Sequence, residues 1–351
     1  MHAPRRATAV AATLALVGAT LGAWLPSRAL PPLTWSSAVP AEPGRVVENG
    51  GDAAVRLASS AFGRSGMLRA VVTDPNRPLE LPLEWVDVNP DPLDVAYRWE
   101  PFAGTATRTL AGEGQLTHGL RAPSDAGIWR LRLRGPGFTQ EVNDLAVITR
   151  VPFSEKRRGY LNGYRIGTYE TETTGRYDRY APPAGFIEVT PENQDLPVSE
   201  HFRLRNFLTK DQFGVWPKYL ALDLRLIDKL ELVIQELNAM GIRAEHVAVM
   251  SGFRTPAYNN QGVGEGGRAV LSRHTYGDAG DVWIDNDRDG YMDDLNGDGR
   301  RDTEDARVIL RAVDRIERRY PELTGGAGIY RDNGAHGPFI HIDVRGNPAR
   351  W

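Results

Sequence analysis

The chain has 351 residues, of which 41% are hydrophobic and 25% are charged, an ordinary globular composition with room for two domains. Its formal net charge of −3 gives no basis for binding nucleic acid or an anionic membrane. No cysteine is present, which excludes disulfides, thiolate metal ligands, a cysteine nucleophile and a lipoprotein anchor.

The N-terminus has the pattern of an export signal over residues 1–29. Arg5 and Arg6 supply a positive start, residues 7–24 are an almost uncharged run rich in Ala, Leu and Val, and small residues suit cleavage after Ala29. The alternative is an uncleaved anchor, since about 18 apolar residues can just span a bilayer. In both cases we expect the bulk of the chain outside a bacterial cytoplasm, periplasmic or secreted, with membrane contact only through this segment.

The next segments are predicted to be a linker and a β-domain. Residues 30–46 are rich in proline and small residues, which is typical of a linker. Residues 47–150 carry short alternating segments, such as 128–133, separated by turn signals, and this predicts an all-β antiparallel sandwich. Residues 122–129 resemble the turn into a late strand of an immunoglobulin-like domain. His118 is the only histidine here, so we expect a spacer or a substrate-positioning module without chemistry of its own.

Residues 151–198 are polar and rich in tyrosine, and we predict a connector whose tyrosines pack at the domain junction or line a glycan groove. Residues 199–351 are predicted to form an α+β domain, because helices and strands alternate there without a βαβ rhythm. An apolar stripe over 222–240 and a second over 303–320, capped by Asp302 or Thr303, predict two helices. Apolar runs at 247–250, 282–284, 327–330 and 339–344 predict strands.

Two histidines and one aspartate of this domain form a candidate metal set. His274 and Asp281 are separated by a segment in which Gly277 and Gly280 allow a tight turn, and His341 follows later in an apolar strand. Asp281 is expected to open another apolar strand, where a carboxylate would need a partner. Two imidazoles and one carboxylate make a three-ligand zinc set with a fourth position open for water. A purely structural cluster is the alternative.

The pattern Ser-x-His-x-x-Gly-x-Ala-x-Asp at 272–281, followed by His-x-Asp at 341–343, resembles the zinc peptidoglycan peptidases related to D-alanyl-D-alanine carboxypeptidase. That group also contains lysostaphin-type enzymes and the Hedgehog signalling domain. Ser-Gly-Phe-Arg-Thr-Pro at 251–256 and the ending at 339–351 are similar to its secreted murein endopeptidase branch. The blocks occur in the same order, and the resemblance covers residues 199–351. It implies an α+β fold of the Hedgehog and D-Ala-D-Ala peptidase kind.

By position, the resemblance implies that His274, Asp281 and His341 bind zinc. It matches Arg254 to the arginine that holds a substrate carboxylate or the developing oxyanion, for which a planar guanidinium is suited. A surface ion pair is the alternative for this arginine. Ser272 and Asp343 match positions that orient a ligand. Zinc would lower the pKa of a bound water from about 15.7 toward about 7 and polarise the scissile carbonyl.

The chain departs from the pattern of its apparent relatives at the position of the general base. Many of them place a glutamate three residues before the last histidine ligand, where this chain has Pro338. Others use a histidine five residues before it, which here is His336. His336 is therefore our candidate base. A plain surface histidine in a loop is the alternative.

An acidic insertion at residues 285–305 follows the second ligand. Oxygen-bearing side chains at alternating positions followed by glycine are typical of calcium loops, and the pattern occurs twice. The loops resemble dockerin or thrombospondin-type repeats, since position twelve is not glutamate. We predict bound Ca²⁺ with a structural role, with a solvated acidic loop as the alternative. The first loop would use Asp285, Asp287, Asp289 and Asp293, and the second Asp294, Asn296, Asp298, Asp302 and Asp305.

The sequence thus favours a secreted zinc metallopeptidase acting on peptidoglycan stem peptides or cross-links. A rival is a zinc- and calcium-stabilised wall-binding module without turnover, which the missing glutamate at Pro338 supports. A third hypothesis is a calcium-dependent adhesin built on the β-domain. Carboxypeptidase and endopeptidase activity stay equally open at this point.

Overall fold

The structure, a computed structural model, describes residues 54–58, 63–86, 90–105, 112–174, 180–264 and 267–351. The predicted export signal at 1–29 and the predicted linker at 30–46 lie outside these ranges. Helices and strands are mixed, with more strand than helix, in several separate sheets, as the α+β prediction requires. None of the described helices has the length and apolar character needed to cross a bilayer.

The N-terminal part of the described chain is built from strands. They are β1 (Val55–Leu57), β2 (Ala70–Thr73), β3 (Pro78–Leu79), β4 (Leu83–Trp85), β5 (Ala96–Pro101), β6 (Glu113–Gln115), β7 (Leu120–Arg121), β8 (Gly127–Gly135), β9 (Phe138–Glu141) and β10 (Ala146–Thr149).

The long strand β8 organises this part. Its residues alternate between buried Trp129, Leu131 and Leu133 and the more exposed arginines between them, as expected for a strand with one face on a core. A six-stranded sheet runs in the order β2-β10-β8-β5-β6, with β9 also pairing with β8, while β1-β4 and β3-β7 form two-stranded sheets. The pair β2-β10 is parallel, so the prediction of a wholly antiparallel arrangement is wrong at this edge.

Residues 151–220 contain more regular structure than their polar sequence indicates. Strands β11 (Val151–Pro152), β14 (Gly185–Val189) and β15 (Lys218–Leu220) form one sheet, β12 (Tyr160–Leu161) and β13 (Tyr164–Arg165) form a second, and helix α1 is Glu170–Thr174. Tyr164 and Tyr169 are fully buried, whereas Tyr160 is exposed. The tyrosines at 164 and 169 therefore pack in the interior.

The C-terminal part contains the two long helices and a five-stranded sheet. Its elements are α2 (Leu224–Ala239), β16 (Val247–Ser251), α3 (Pro256–Asn260), β17 (Ala279–Ile284), α4 (Thr303–Arg319), β18 (Gly326–Tyr330), β19 (Phe339–Asp343) and β20 (Ala349–Arg350). The sheet order is β16-β17-β19-β18-β20. Both predicted helices are confirmed, and Asp302 caps α4 by accepting from the Glu304 N–H.

The two faces of this sheet have different roles. Along β17 and β19, Val282, Ile284, Ile340 and Ile342 are buried apolar residues that alternate with Asp281 and His341. Helix α4 packs on β18 and β19, and α2 packs on α4. We therefore place the helices over the apolar face and the polar residues on the other.

A buried ion pair joins the helix layer to the sheet. Lys229 of α2 is fully buried, and its Nζ donates to Glu317 Oε1 of α4 at 2.7 Å and to the Asp343 carbonyl at 2.8 Å. Glu317 also accepts from Arg350 Nη2 at 2.6 Å, so this buried carboxylate has two cationic partners. The interaction fixes the end of β19 relative to both helices.

The N-terminal and C-terminal parts share one buried apolar cluster that extends from Val55 to Val344. Asp228 of α2 contributes a polar link, since its carboxylate accepts the backbone N–H groups of Arg64 and Ser65 at 2.7 and 2.9 Å. Both kinds of contact hold the chain before β2 against the second helix.

A pH-dependent contribution to stability is expected from His201, which is bonded to the buried Glu231 of α2. Its Nδ1 lies 2.8 Å from Glu231 Oε2, and its backbone N–H donates to Oε1 at 2.9 Å. The hydrogen bond to Glu231 raises the pKa of the imidazole, although burial opposes this. A raised pKa in the folded state stabilises the fold fully below the unfolded pKa of about 6.5, and that stabilisation disappears as the pH rises through the folded pKa.

The free energy of unfolding of the unmodified chain, minus that of His201→Gln, should therefore decrease as the pH rises from about 5.5 to about 8.5. Denaturant titrations of both chains at each pH measure this difference. His118→Gln is a control because His118 is exposed in the N-terminal part. A difference for His201→Gln that does not change with pH would contradict the assignment.

Candidate metal centre

Three side-chain donors meet on the polar face of the C-terminal sheet. His274 Nε2 lies 3.1 Å from Asp281 Oδ1 and 3.1 Å from His341 Nδ1, and the last two atoms are 2.9 Å apart. The three residues are buried, with 3 to 6% of their surface exposed. The structure thus brings together the three residues that the sequence analysis singles out.

The strand register accounts for two of the three positions. Asp281 of β17 is directly opposite His341 of β19 in the antiparallel pair, so both side chains point to the same face. Asp281 lies in the middle of β17, which begins at Ala279, so the prediction that it opens the strand is wrong.

His274 comes from a short 3₁₀ turn, Arg273–Tyr276, that precedes β17. Gly277 ends this turn with φ +76°, and a Cβ there would collide with the Ala221 carbonyl, so glycine is needed. Gly280 lies inside the extended strand and makes no turn, in contrast to the prediction. One glycine, rather than two, brings the chain back between the ligands.

The outer nitrogen of each imidazole faces a hydrogen-bond acceptor. His274 Nδ1 lies 2.7 Å from the Gly252 carbonyl oxygen, and His341 Nε2 lies 3.1 Å from Asp343 Oδ2. In the neutral rings the protons therefore belong on these outer nitrogens, because a carbonyl and a carboxylate can only accept. The inner nitrogens, His274 Nε2 and His341 Nδ1, then present lone pairs to Asp281.

Burial and charge act in opposite directions on these groups. Burial lowers the pKa of His274, although the Asp281 carboxylate opposes the change. Burial also acts to lower the pKa of His341, but hydrogen bonds to Asp281 and Asp343 outweigh it and raise the pKa. Burial acts to raise the pKa of Asp281, but the two histidines hold it far below its usual range. Asp281 is therefore ionised at neutral pH.

The donor set fits a metal ion. Donors at about 2.0–2.2 Å from a tetrahedral cation lie roughly 3.3–3.6 Å apart, and the observed separations of 2.9–3.1 Å are slightly shorter. One ionised carboxylate and two imidazole lone pairs are a common ligand combination, and each imidazole has the outer acceptor that metal-bound histidines usually have. The buried His274–Asp281–His341 group could hold a metal ion.

Arg254 lies against one of the proposed ligands. Its Nη2 donates to Asp281 Oδ2 at 2.5 Å, and its Nε donates to Ser251 Oγ at 2.7 Å. Its side chain is largely buried, so the surface ion pair considered from the sequence becomes a buried one. Within the described ranges no hydrogen bond engages its Nη1.

The two residues matched to orienting positions behave differently. Asp343 bonds His341 as expected and is itself fixed by the Gly326 N–H at 2.7 Å and by Arg345 Nε at 2.8 and 2.9 Å. Ser272 is buried next to the His274 turn and accepts the Thr275 N–H through its carbonyl. The group that orients His274 is the Gly252 carbonyl instead.

The candidate base His336 lies in the loop before β19, half-buried, with its Nδ1 2.8 Å from the Gly337 carbonyl. In the described part of the chain no hydrogen bond joins it to the three donors. An aromatic series leads from it to the centre, because its ring contacts Phe339, which stacks on Tyr330. The Tyr330 hydroxyl accepts from Trp351 Nε1 at 2.8 Å, and the Trp351 ring packs on His341 with centroids 5.3 Å apart.

The acidic insertion divides into two parts. Asp285, Asp287 and Asp289 each place one carboxylate oxygen within 4.8 Å of the others. Within the described ranges no such group is found among the other predicted carboxylate ligands, which are Asp293, Asp294, Asp298, Asp302 and Asp305. The remaining predicted ligand, Asn296, offers an amide oxygen.

Four contacts of the centre were not anticipated from the sequence. They are the Gly252 carbonyl on His274, Ser251 on Arg254, Arg345 on Asp343 and Trp351 on His341. Only the pairing of β16 with β17 could have indicated Ser251, because it is directly opposite Asp281. The Gly252 carbonyl could not have been predicted, because every residue type has a backbone carbonyl.

Comparison with known proteins gives no relative. No protein-family model, no curated protein and no solved structure matches the chain. The centre must therefore be interpreted from its own residues.

Asp343→Asn tests whether the outer partner of His341 tunes metal binding. The variant keeps the shape but removes the charge on the acceptor, and we expect metal affinity to fall by about 10–100-fold. Competition of zinc against a chromogenic chelator measures this value. Asp314→Asn is the control, because this α4 carboxylate pairs with Arg350 and is far more exposed. Equal affinity in the two variants would contradict the role of Asp343.

Proposed function

We propose that this chain is a secreted zinc-dependent peptidase that hydrolyses peptide bonds in peptidoglycan stem peptides or cross-links. The observation that carries the proposal is the convergence of His274 Nε2, Asp281 Oδ1 and His341 Nδ1 within 3.1 Å of one another. The same residues belong to the sequence blocks that resemble zinc peptidoglycan peptidases. The resemblance uses residue identity, and the convergence uses geometry.

The chemistry of the donors favours zinc. Nitrogen and oxygen ligands in a three-residue set suit a tetrahedral zinc ion that keeps one position for water or substrate. Zinc in such a site lowers the pKa of a water toward about 7 and polarises a carbonyl. Gly252 and Asp343 hold the two imidazoles in the tautomers that leave the inner nitrogens free to bind.

Arg254 supplies a fixed positive charge next to the centre. Ser251 and Asp281 hold two of its nitrogens, which orients the planar guanidinium. Arg268, whose guanidinium packs 4.2 Å from the centre of the Tyr258 ring, is a second cation of this region. Burial lowers the pKa of Arg254, the Asp281 carboxylate opposes this change, and the positive charge of Arg268 adds to the lowering. Two guanidinium groups suit a substrate that carries a free carboxylate, as stem peptides do, and an oxyanion that forms at the scissile carbonyl.

Proton transfer is assigned to His336. Phe339, the ring that His336 contacts, precedes His341 by two residues in β19, so both side chains lie on the same face of the sheet. Tyr330 lies between Phe339 and Trp351 and keeps a hydroxyl proton while it accepts from the indole. A half-buried imidazole on a loop can take a proton from water and pass it to a leaving amine.

The second candidate function is a zinc-stabilised wall-binding module without turnover. Two observations favour it: Pro338 occupies the place of the glutamate found in many apparent relatives, and Arg254 is already paired with Asp281. This candidate predicts binding to murein sacculi without release of any peptide at saturating zinc.

The zinc-loaded chain should cleave purified muropeptides, with new products detected by liquid chromatography and mass spectrometry. His274→Ala should lose both the metal and the cleavage, because a catalytic zinc ion needs three protein ligands and only two would remain. His118→Ala should cleave like the unmodified chain, since His118 lies exposed outside the C-terminal part. Cleavage retained by His274→Ala would refute the peptidase proposal, and binding of the unmodified chain to sacculi without cleavage would favour the module.

His336→Gln tests the proton-transfer assignment separately. This variant should keep its zinc and lose about 10²–10⁴-fold in kcat, because general acid–base catalysis contributes that much. Steady-state kinetics on a single muropeptide, with metal content measured on the same sample, gives both values. Full activity in His336→Gln would assign proton transfer to another group and leave the metal centre intact.

A further inference from the structure

Asp285 is a buried carboxylate with an unsatisfied oxygen. It follows β17 directly, only 4% of its surface is exposed, and among the described residues its Oδ1 has no hydrogen-bond partner. Its Oδ2 accepts only the Gly290 N–H, at 3.3 Å. A buried carboxylate oxygen without a donor costs free energy unless the group is neutralised or binds a cation.

Two further carboxylates lie next to it. Asp285, Asp287 and Asp289 each offer one oxygen within 4.8 Å of the others, and Asp287 and Asp289 are exposed. Oxygen donors at 2.3–2.6 Å from a calcium ion can be at most about 5 Å apart, so the separation fits a shared ion. The set contains only hard oxygen donors, which suit Ca²⁺, Mg²⁺ or Mn²⁺ rather than a softer ion such as Cu⁺. Three carboxylates on one loop favour Ca²⁺ over Mg²⁺, which usually binds through only one or two.

The arginine that contacts this cluster does not neutralise its three carboxylates. Arg301 contacts Asp289 Oδ2 at 2.5 Å and Asp287 Oδ2 at 3.4 Å, which are the two exposed carboxylates. One guanidinium thus faces three carboxylates and does not contact the buried one. The unsatisfied Asp285 Oδ1 is left for another cation.

The second half of the insertion differs, because backbone N–H groups satisfy its buried carboxylate, Asp305, and also bond Asp294. Asp294 accepts the N–H groups of Gly297 and Gly299, each at 2.7 Å. Asp305 is fully buried and accepts from Leu295 at 2.8 Å and Asp302 at 2.8 Å, which completes the cap of α4. This half can therefore fold without a metal ion.

We propose that the protein binds one Ca²⁺ through Asp285, Asp287 and Asp289, and that the second half of the insertion is a metal-independent helix cap. The site is separate from the His274–Asp281–His341 centre and does not depend on the proposed peptidase activity.

Calcium at this position would hold the end of β17 in place. The Asp285 N–H donates to the His246 carbonyl at 3.0 Å, and the Asp293 N–H donates to the Ile284 carbonyl at 2.9 Å. His246 Nδ1 in turn lies 2.8 Å from the Asp285 carbonyl oxygen. The ion therefore joins the insertion to the strand that carries Asp281 and to the start of β16.

The test uses the full chain, stripped of metals, reloaded with one equivalent of zinc and titrated with Ca²⁺ in a calorimeter in excess Mg²⁺. We expect one Ca²⁺ per chain and a rise in Tm of about 5 °C at roughly a hundred times the dissociation constant. Absence of binding, or two ions per chain, would overturn the proposal.

Matched variants locate the site. Asp287→Asn should weaken Ca²⁺ binding at least about tenfold, and its exposed position makes a folding defect an implausible cause. Asp298→Asn in the second half should bind like the unmodified chain, because this exposed residue belongs to the satisfied part. Equal effects of these two variants would refute the assignment to the first half.

Asp285→Asn is expected to affect Tm differently in the absence and in the presence of Ca²⁺. Without Ca²⁺ its Tm should equal or exceed that of the unmodified chain, because a buried unpaired charge is removed. With Ca²⁺ its Tm should not rise. A Ca²⁺-dependent rise equal to that of the unmodified chain would exclude Asp285 as a ligand. Failure of these tests would leave the muropeptide assay unaffected, since neither readout uses cleavage.

Discussion

Two imidazole lone pairs and one ionised carboxylate face each other across about 3 Å at the centre of the C-terminal sheet. The outer nitrogens of both rings face acceptors, so the protons of the neutral rings lie outside the centre. Such a group needs a proton or a cation between its members, because lone pairs at this distance repel one another. Burial acts to lower the pKa of His341, but hydrogen bonds to Asp281 and Asp343 raise it, so these two carboxylates favour the protonated ring. A metal ion would replace that proton, and binding would release it to the solvent.

The rest of the C-terminal part keeps this group in register. Four residues are opposite one another across four strands: Ser251, Asp281, His341 and Gly328. One row of the sheet thus carries the serine that bonds Arg254, two of the three candidate donors and a glycine. Glycine is required at position 328 because a Cβ there would collide with the Trp351 indole, which packs on His341. On the other face, Lys229 donates to the Asp343 carbonyl while the Asp343 side chain orients His341. Packing of the helices and geometry of the ligands are therefore coupled through one residue.

Sequence patterns predicted those features that depend on local periodicity or residue type. These features include the apolar stripes of α2 and α4, the Asp302 cap and the three converging residues. They were predictable because each depends on which residue type occupies a given position. Features that depend on pairing were not. The parallel β2-β10 edge, the extended Gly280 and the Gly252 carbonyl on His274 follow from which strands meet, and no single residue encodes that. The acidic insertion shows the same limit, since its two similar motifs differ in the buried carboxylate. Among the described residues Asp285 Oδ1 has no hydrogen-bond donor, whereas backbone N–H groups bond both oxygens of Asp305.

In the proposed peptidase, charge balance explains how Arg254 can contact the candidate metal ligand Asp281 and also bind a substrate. Asp281 directs Oδ1 to the histidines and Oδ2 to Arg254, so its single negative charge is shared between the two sides. With a divalent cation bound, one carboxylate would face two positive groups, and the centre would carry an excess of positive charge. Burial lowers the pKa of the Arg254 guanidinium, and the Asp281 carboxylate opposes this change. An anion arriving at the centre, whether a substrate carboxylate or a developing oxyanion, would supply the missing charge. The pairing of Arg254 with Asp281 is then a way of orienting the guanidinium before that anion arrives.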